Sequence, residues 1–301
     1  MWTNPRYNKG MKKSSVFMLN LILLIIFFAL PKIHLVHAES RPVISISPKT
    51  VVQGDPIMIT ITSTSSPIKI VFDNKNVPIF IYDNKPRGLI AVDINQKTGV
   101  YEAQITFANG TKITQSVTIT EREKIEEPLG IPEKLGGNTR VAGQNLVNNL
   151  AKENTILKNV KTGTKAFWTK PFKAPLTNLS ITDSYGYNRK TGEYTIPHKG
   201  TDFHALEGTK VYAMNRGVVR IAKTFIAYGK IIVVDHGLGL NTLYLHLSKI
   251  YVNEGELVQP GQVIGLSGDT GYAEGAHLHL SIKINGISID PEKFFEFFKI
   301  K

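Results

Sequence analysis

The 301-residue chain contains no cysteine. That absence excludes a disulfide framework, a thiolate nucleophile and any metal site with sulfur ligands. A Gly-x-Ser-x-Gly elbow is also missing, so the strand–turn–helix signature of a serine hydrolase does not occur. There is no basic motif interleaved with aromatics of the kind that reads nucleic acid. Long apolar runs are scarce as well. The one candidate, Val16 to Leu30, covers about 15 residues, fewer than the ~20 that cross a bilayer comfortably.

That run has the pattern of an export signal. Arg6, Lys9, Lys12 and Lys13 precede it, Pro31 breaks it, and Val36-His-Ala38 offers small residues where a signal peptidase cuts, before Glu39. Residues 1–38 are therefore expected to be a signal peptide. The alternative is a retained N-terminal anchor, reached by extending the run through Leu35 and Val36. Either way the rest of the chain is expected outside the cytoplasm, in the periplasm or cell envelope, with membrane contact only if the segment is retained. Without it the charge falls from +12 to +7, with 31 basic and 24 acidic residues. A moderate positive charge suits an anionic wall by long-range attraction, and ordinary surface lysines account for it equally well.

From Arg41 to about Thr120 the text is short β-strands between turns. Val43-Ile-Ser-Ile, Pro56-Ile-Met-Ile-Thr-Ile and Ile68-Lys-Ile-Val-Phe cluster β-formers, and Val100 to Phe107 runs into Asn109-Gly110, a strong hairpin signal. This predicts an immunoglobulin-like sandwich over residues 39–121. Residues 122–165 follow as a linker carrying a helix. Pro128, Gly130, Pro132 and Gly136-Gly137 mark the linker, and Thr139 is placed to cap a helix to about Leu157 whose apolar face would hold Val141, Leu146, Val147 and Leu150. Strands separated by glycine turns resume at Phe172. Val252 to Gly265 has the turn rhythm of lipoyl and biotinyl carrier domains, but no lysine sits on the hairpin tip where a carrier needs one. The expected class is mostly β, with an antiparallel domain over 166–301 resembling the lipoyl-type barrel and one linking helix.

Of the eight histidines, His34 and His37 lie in the N-terminal segment. His236 sits in an Asp-His-Gly turn and reads as structural. His198-Lys-Gly-Thr-Asp202, Tyr-Leu-His246-Leu and His277-Leu-His279 remain. Residues two apart on a strand share a face, so His277 and His279 can enter one cavity. His198 and Asp202, four apart, share a face in strand or helix, and Gly200 between them favours strand or loop. Imidazole nitrogens with one carboxylate oxygen are what a water-activating zinc site uses. Three of the five residues could hold the metal, and two would remain to move protons. His204 could share the face of Asp202.

These phrases stand in longer matching text. Ser184-Tyr-Gly-Tyr, His198-Lys-Gly-Thr-Asp-Phe, Asp235-His-Gly-Leu-Gly, Thr242-Leu-Tyr-Leu-His-Leu-Ser, Gly261-Gln-Val-Ile-Gly, Gly268-Asp-Thr-Gly and His277-Leu-His-Leu follow one another between about Lys170 and Pro291. In that order they resemble the lysostaphin or LytM type of zinc metallopeptidase, which cleaves peptide cross-links of bacterial peptidoglycan. The resemblance implies one Zn²⁺ per chain on His198, Asp202 and His279, with His246 and His277 as the catalytic pair, and peptidoglycan stem peptides and cross-bridges as partners. It also implies an aromatic at Tyr185 that lines the groove, although a core role suits that residue as well. The stretch Tyr272-Ala-Glu-Gly-Ala departs from the Ser/Thr-Gly-Pro run usual in the family, which bears on substrate preference. Two other readings compete with a wall endopeptidase. One is a silent activator of amidases, which needs a degenerate site; the other is a zinc peptidase acting on another exported protein.

Overall fold

The computed structural model describes residues 41–168 and 170–301, and the expected signal or anchor segment, 1–38, lies outside them. Among the described residues no helix is long and apolar enough to cross a membrane. The chain is mostly β, as its alternating text predicts.

Two sheets form the N-terminal part. Strands 43–47, 56–62, 85–91 and 79–82 make one sheet in that spatial order, and 50–52, 112–120, 99–107, 67–72 and 75–77 make the other. Period-two alternation accounts for their packing. Ile57, Ile59 and Ile61 bury one face, Ala103, Ile105 and Phe107 the other, while Glu102 and Gln104 between them are exposed. Two hairpins close through Asp73-Asn74 and Asp83-Asn84, all four residues at positive φ between 46° and 59°. That is the geometry whose twist matches paired strands, and Asn and Asp tolerate it best after glycine.

The C-terminal part is built on an antiparallel sheet. Its spatial order is 181–183, 201–204, 277–284, 240–247, 230–237, 217–224 and 257–258, with 287–289 also paired to 277–284. One face carries Leu278, Leu280, Ile282, Leu240 and Tyr244 into the main core. Contacts join Ser40–Lys301 into one unit, and that core includes Met58, Phe80 and Leu89 from the N-terminal strands. Phe80 meets Trp168 edge-on at 5.3 Å, and Tyr82 meets Phe298 at 5.1 Å.

Two helices accompany the sheets. Helix α1, Arg140–Lys158, begins as expected at Thr139, whose hydroxyl accepts from the Ala142 N–H at 3.2 Å. Its inward side holds the expected Leu146, with Leu150 packed beside it, but Val141 is 71% exposed, and Ala142, Glu153 and Leu157 are buried as well. Leu157 packs on Ile231, Val233, Leu243 and Leu245, on the sheet face opposite the main core. The second helix, α2, Pro291–Phe298, corrects the expectation of one helix. Asp290 caps it by accepting from Glu292 N–H at 2.9 Å, Pro291 starts it, and Phe294, Phe295 and Phe298 bury its apolar side. The linker also holds more structure than glycine and proline suggest, because Glu126–Pro128 pairs in parallel with Asn188–Lys190.

Candidate metal centre and groove

Strand register brings the site together. Asp202 pairs with His279, and His279 pairs in turn with Leu245, so the 201–204 strand, the 277–284 strand and the end of 240–247 present their residues side by side. His198 enters from the turn before Thr201. Gly200 permits that turn to lie close, since a Cβ there would fall 2.6 Å from the Leu280 carbonyl oxygen and against the His279 ring.

His246 arrives differently. Simple alternation from Tyr244 would turn it into the main core. Between the pairs Lys230–Leu247 and Ile232–Tyr244 its strand carries one extra residue, and His246 itself stands at φ 59°. This bulge re-aims the ring toward the site. Its centroid lies 5.0 Å from that of His277 and 5.8 Å from that of His279.

Three atoms form the centre. His198 Nε2 lies 3.1 Å from Asp202 Oδ1, His279 Nδ1 lies 2.7 Å from the same oxygen, and the two nitrogens are 3.0 Å apart. The other side of each ring decides what these atoms carry. His198 Nδ1 donates to the Ser184 carbonyl at 2.9 Å. Ser281 Oγ donates to the Lys199 carbonyl at 2.7 Å, so it can only accept from His279 Nε2–H, 3.0 Å away. Each neutral imidazole has thus spent its one N–H outward, and both inner nitrogens are lone pairs facing a carboxylate oxygen. Three electron-rich atoms this close require a cation among them. Tetrahedral zinc with bonds of about 2.0–2.1 Å separates its ligand atoms by roughly 3.3 Å, so this donor set fits with small relaxation.

The electrostatics agree. Burial works against an ionised Asp202, and without a cation its carboxyl is held well below the usual range only by protons on the inner nitrogens of His198 and His279, the place that a metal ion would take. Burial pushes His279 down to about 4, against the pull of Asp202, so it is neutral near pH 7. Burial, followed by the neighbouring His277 and His279, also holds His246 well below its usual value. Its Nδ1–H donates to the Thr270 carbonyl at 2.8 Å, which leaves Nε2 a free lone pair. His277 repeats this design. Nδ1 lies 2.8 Å from the Gly275 carbonyl, and Nε2, 3.6 Å from Asp202 Oδ2, has no hydrogen-bond partner.

The remaining expected residues fall outside the centre. His236 is fully buried, with Nδ1 on the Arg216 carbonyl and Nε2 on Thr242 Oγ1, a structural histidine. His204 is exposed at the strand end opposite His277. Tyr185 is buried and donates to the Ser288 carbonyl at 3.0 Å, so it joins core to groove wall. Tyr272, in the departing loop, lines the groove and bonds Thr191 Oγ1 at 2.6 Å.

Sequence reasoning missed three contributors and the roof. Arg189 bridges Asp183 and Asp202 and lay unremarked beside the Tyr-Gly-Tyr phrase. Ser281 and Lys283 continue the His277-x-His279 alternation onto the groove face, a period-two signal that could have found them. The roof is α1, whose Val147, Leu150 and Leu157 close a cavity of about 290 Å³ above His198, His246 and His279. Glu153 anchors the helix by accepting the N–H groups of Ile226 and Ala227 on Oε1 and of Tyr228 on Oε2, at 2.7 to 3.0 Å.

Residues 196–291 match the family model described as Peptidase family M23. Peptidoglycan DD-endopeptidase ShyA of Vibrio cholerae is 31% identical over 215 residues, which cover 68% of this chain and 48% of that protein. DD-carboxypeptidase/endopeptidase Mpg of Neisseria meningitidis is 37% identical over 118 residues, 39% of this chain and 27% of that one. The chain thus aligns with about half the length of these curated relatives, or less. A crystal structure described as a putative peptidase M23 from Pseudomonas aeruginosa superposes with a TM-score of 0.56 at 23% identity, covering 81% of this chain and 94% of that one, and shows the shared fold.

Proposed function

From the peptidase family M23 domain that the chain carries over residues 196–291, we propose that it is an exported, zinc-dependent endopeptidase that hydrolyses peptide cross-links of bacterial peptidoglycan. One observation carries this reading: the lone pairs of His198 Nε2 and His279 Nδ1 converge with Asp202 Oδ1 within 3.1 Å. In this reading residues 39–121 are an immunoglobulin-like spacer, 122–165 a linker with its helix, and 166–301 the peptidase. The ligands are His198, Asp202 and His279, with one metal per chain. Zinc held there would acidify a water and polarise the scissile carbonyl.

The protein's own groups supply the proton traffic. His246 and His277 each present a neutral Nε2 toward the centre, with the tautomer fixed by a backbone carbonyl on Nδ1. One of them takes the proton of the attacking water and, once protonated, becomes an N–H donor beside the developing oxyanion. The same proton then passes to the departing amine as the C–N bond breaks, and the imidazole returns to its neutral form. Burial under α1 keeps bulk water from His246 and strengthens its interactions, while His277 stays partly open to solvent.

The test is conversion of cross-linked muropeptide dimers to monomers by the zinc-loaded protein, followed by mass spectrometry, and its loss with EDTA. Unchanged dimers in the presence of bound zinc would defeat the reading. The amidase-activator alternative needs a degenerate site and is not favoured where all five side chains are in place. Cleavage of exported proteins with sacculi left intact would favour the other alternative.

A further inference from the structure

The groove has a second end. On the 277–284 strand, His277, His279, Ser281 and Lys283 share one face, because Leu278, Leu280, Ile282 and Ile284 point into the core. Lys283 lies four residues beyond His279, about 13 Å along the strand at ~3.3 Å per residue. It lines the same cavity as the metal centre and also a smaller one of about 240 Å³ that opens between the sandwich and the peptidase sheet. Lys158 of α1 and Lys199 line that second cavity as well, and Asp93 is the one acid among its lining residues.

None of the three lysines has an ion-pair or hydrogen-bond partner for its ammonium among the described residues, although Lys283 is half-buried. Burial, and then the charge of Lys199, pushes the Lys283 ammonium down to about 8. An unpaired, half-buried cation at one end of a catalytic groove is costly unless an anion completes it.

We propose that Lys283, supported by Lys199 and Lys158, binds a carboxylate of the substrate peptide about 13 Å from the scissile bond. This subsite rests on the peptidase reading above and narrows it. The substrate is an acidic peptide that lies extended along the 277–284 strand, with its reacting amide at the histidines and a carboxylate about four extended residues away. Peptidoglycan stem peptides suit it through the free carboxylates of their isoglutamyl and diaminopimelyl units. A neutral glycine bridge alone offers nothing for these cations.

The test uses the full zinc-loaded chain and two cross-linked peptide dimers of identical sequence, one with free carboxylates and one amidated at every carboxylate away from the scissile bond. The wild-type protein is expected to show a KM about tenfold lower for the acidic dimer, in line with one charge-assisted contact. Lys283→Gln should erase that preference by raising KM on the acidic dimer alone, and Lys283→Arg should restore it. Lys283→Met, also uncharged, gives the same readout should the glutamine variant fold poorly. Amidating one carboxyl at a time then assigns the contact to the isoglutamyl or the diaminopimelyl unit. Equal KM for both dimers in the wild type, or a preference that survives Lys283→Gln and Lys283→Met, overturns the subsite while leaving the peptidase reading intact. Failure to cut either dimer overturns both.

Discussion

Arg189 Nη2 lies 2.5 Å from Asp202 Oδ2, the carboxylate oxygen that His198 and His279 leave free. The same guanidinium holds Asp183, with Nε 3.0 Å from Oδ2. Asp202 is thereby oriented so that Oδ1 alone faces the two histidines, and in the proposed zinc site it would bind through that one oxygen.

Loss of that support should appear in metal binding before it appears anywhere else. Arg189→Gln is expected to weaken zinc affinity by about 10- to 100-fold, the usual cost of removing a group that orients a ligand. Arg189→Lys should fall between, since a point charge cannot span two carboxylates as a planar fork does. Competition against a chelator of known affinity measures both. Unchanged affinity in the glutamine variant would remove Arg189 from the account.

The two classes of histidine separate by the same measurement. His198→Ala and His279→Ala should lose both bound zinc and dimer cleavage. His246→Ala and His277→Ala should keep one zinc per chain and lose cleavage by at least about 100-fold, the range of general acid–base catalysis. Cleavage at the normal rate by His246→Ala would show that its free Nε2 does not handle the proton.

How much of this was legible beforehand follows from the range of each interaction. The convergence of His198, Asp202 and His279 rests on period-two alternation and adjacent strands, and both are written in short stretches of text. The hairpin at Asn109-Gly110 and the cap at Thr139 are local in the same way. The aim of His246 was hidden, because it depends on a bulge defined only by the partner strand. Arg189 was hidden because its charge is matched by a residue 13 positions further along the chain. The α1 face was legible only in part, since hydrophobicity places Leu146 and Leu150 inward but also Val141. Glu153, an acid, holds a buried position there because three backbone N–H groups meet it, while Val141 stays exposed. Helix α2, by contrast, was within reach, since Asp290-Pro291 followed by Phe294, Phe295 and Phe298 is a cap and an apolar face.

Glu153 should be among the more costly side chains to remove from α1. Glu153→Ala strands three N–H groups beneath the helix, and a loss of about 3 kcal/mol is expected for a charge-assisted set of this kind. Glu153→Gln should cost less, because its carbonyl can still accept from Ile226 and Ala227 while its amide faces the Tyr228 donor. Urea unfolding compares the three proteins. A change below about 1 kcal/mol in the alanine variant would mean that the carboxylate does not anchor the roof.

Where the N-terminal strands meet the C-terminal part of the chain, Arg122 contacts Asp55 directly and reaches Asp290 at 3.4 Å, so two carboxylates share one guanidinium. Burial raises the Asp55 carboxyl to about 6; Arg122 opposes the rise and Asp290 adds to it. Its folded value therefore lies above the value of 3.8 that it takes when unfolded. Between these two values the folded state holds more protons than the unfolded one, so the contribution of this group to stability is fully present below 3.8 and is lost as pH rises through about 6. Asp55→Asn cannot titrate there. The wild type should thus gain stability relative to Asp55→Asn as the pH is lowered from about 7.5 to 5, read as a widening gap between their urea midpoints. Using the difference between the two proteins cancels the titration of Asp290 and the histidines wherever they are unaffected by the substitution. Midpoints that run parallel over this interval would show that Arg122 keeps Asp55 ionised and that burial does not govern this contact.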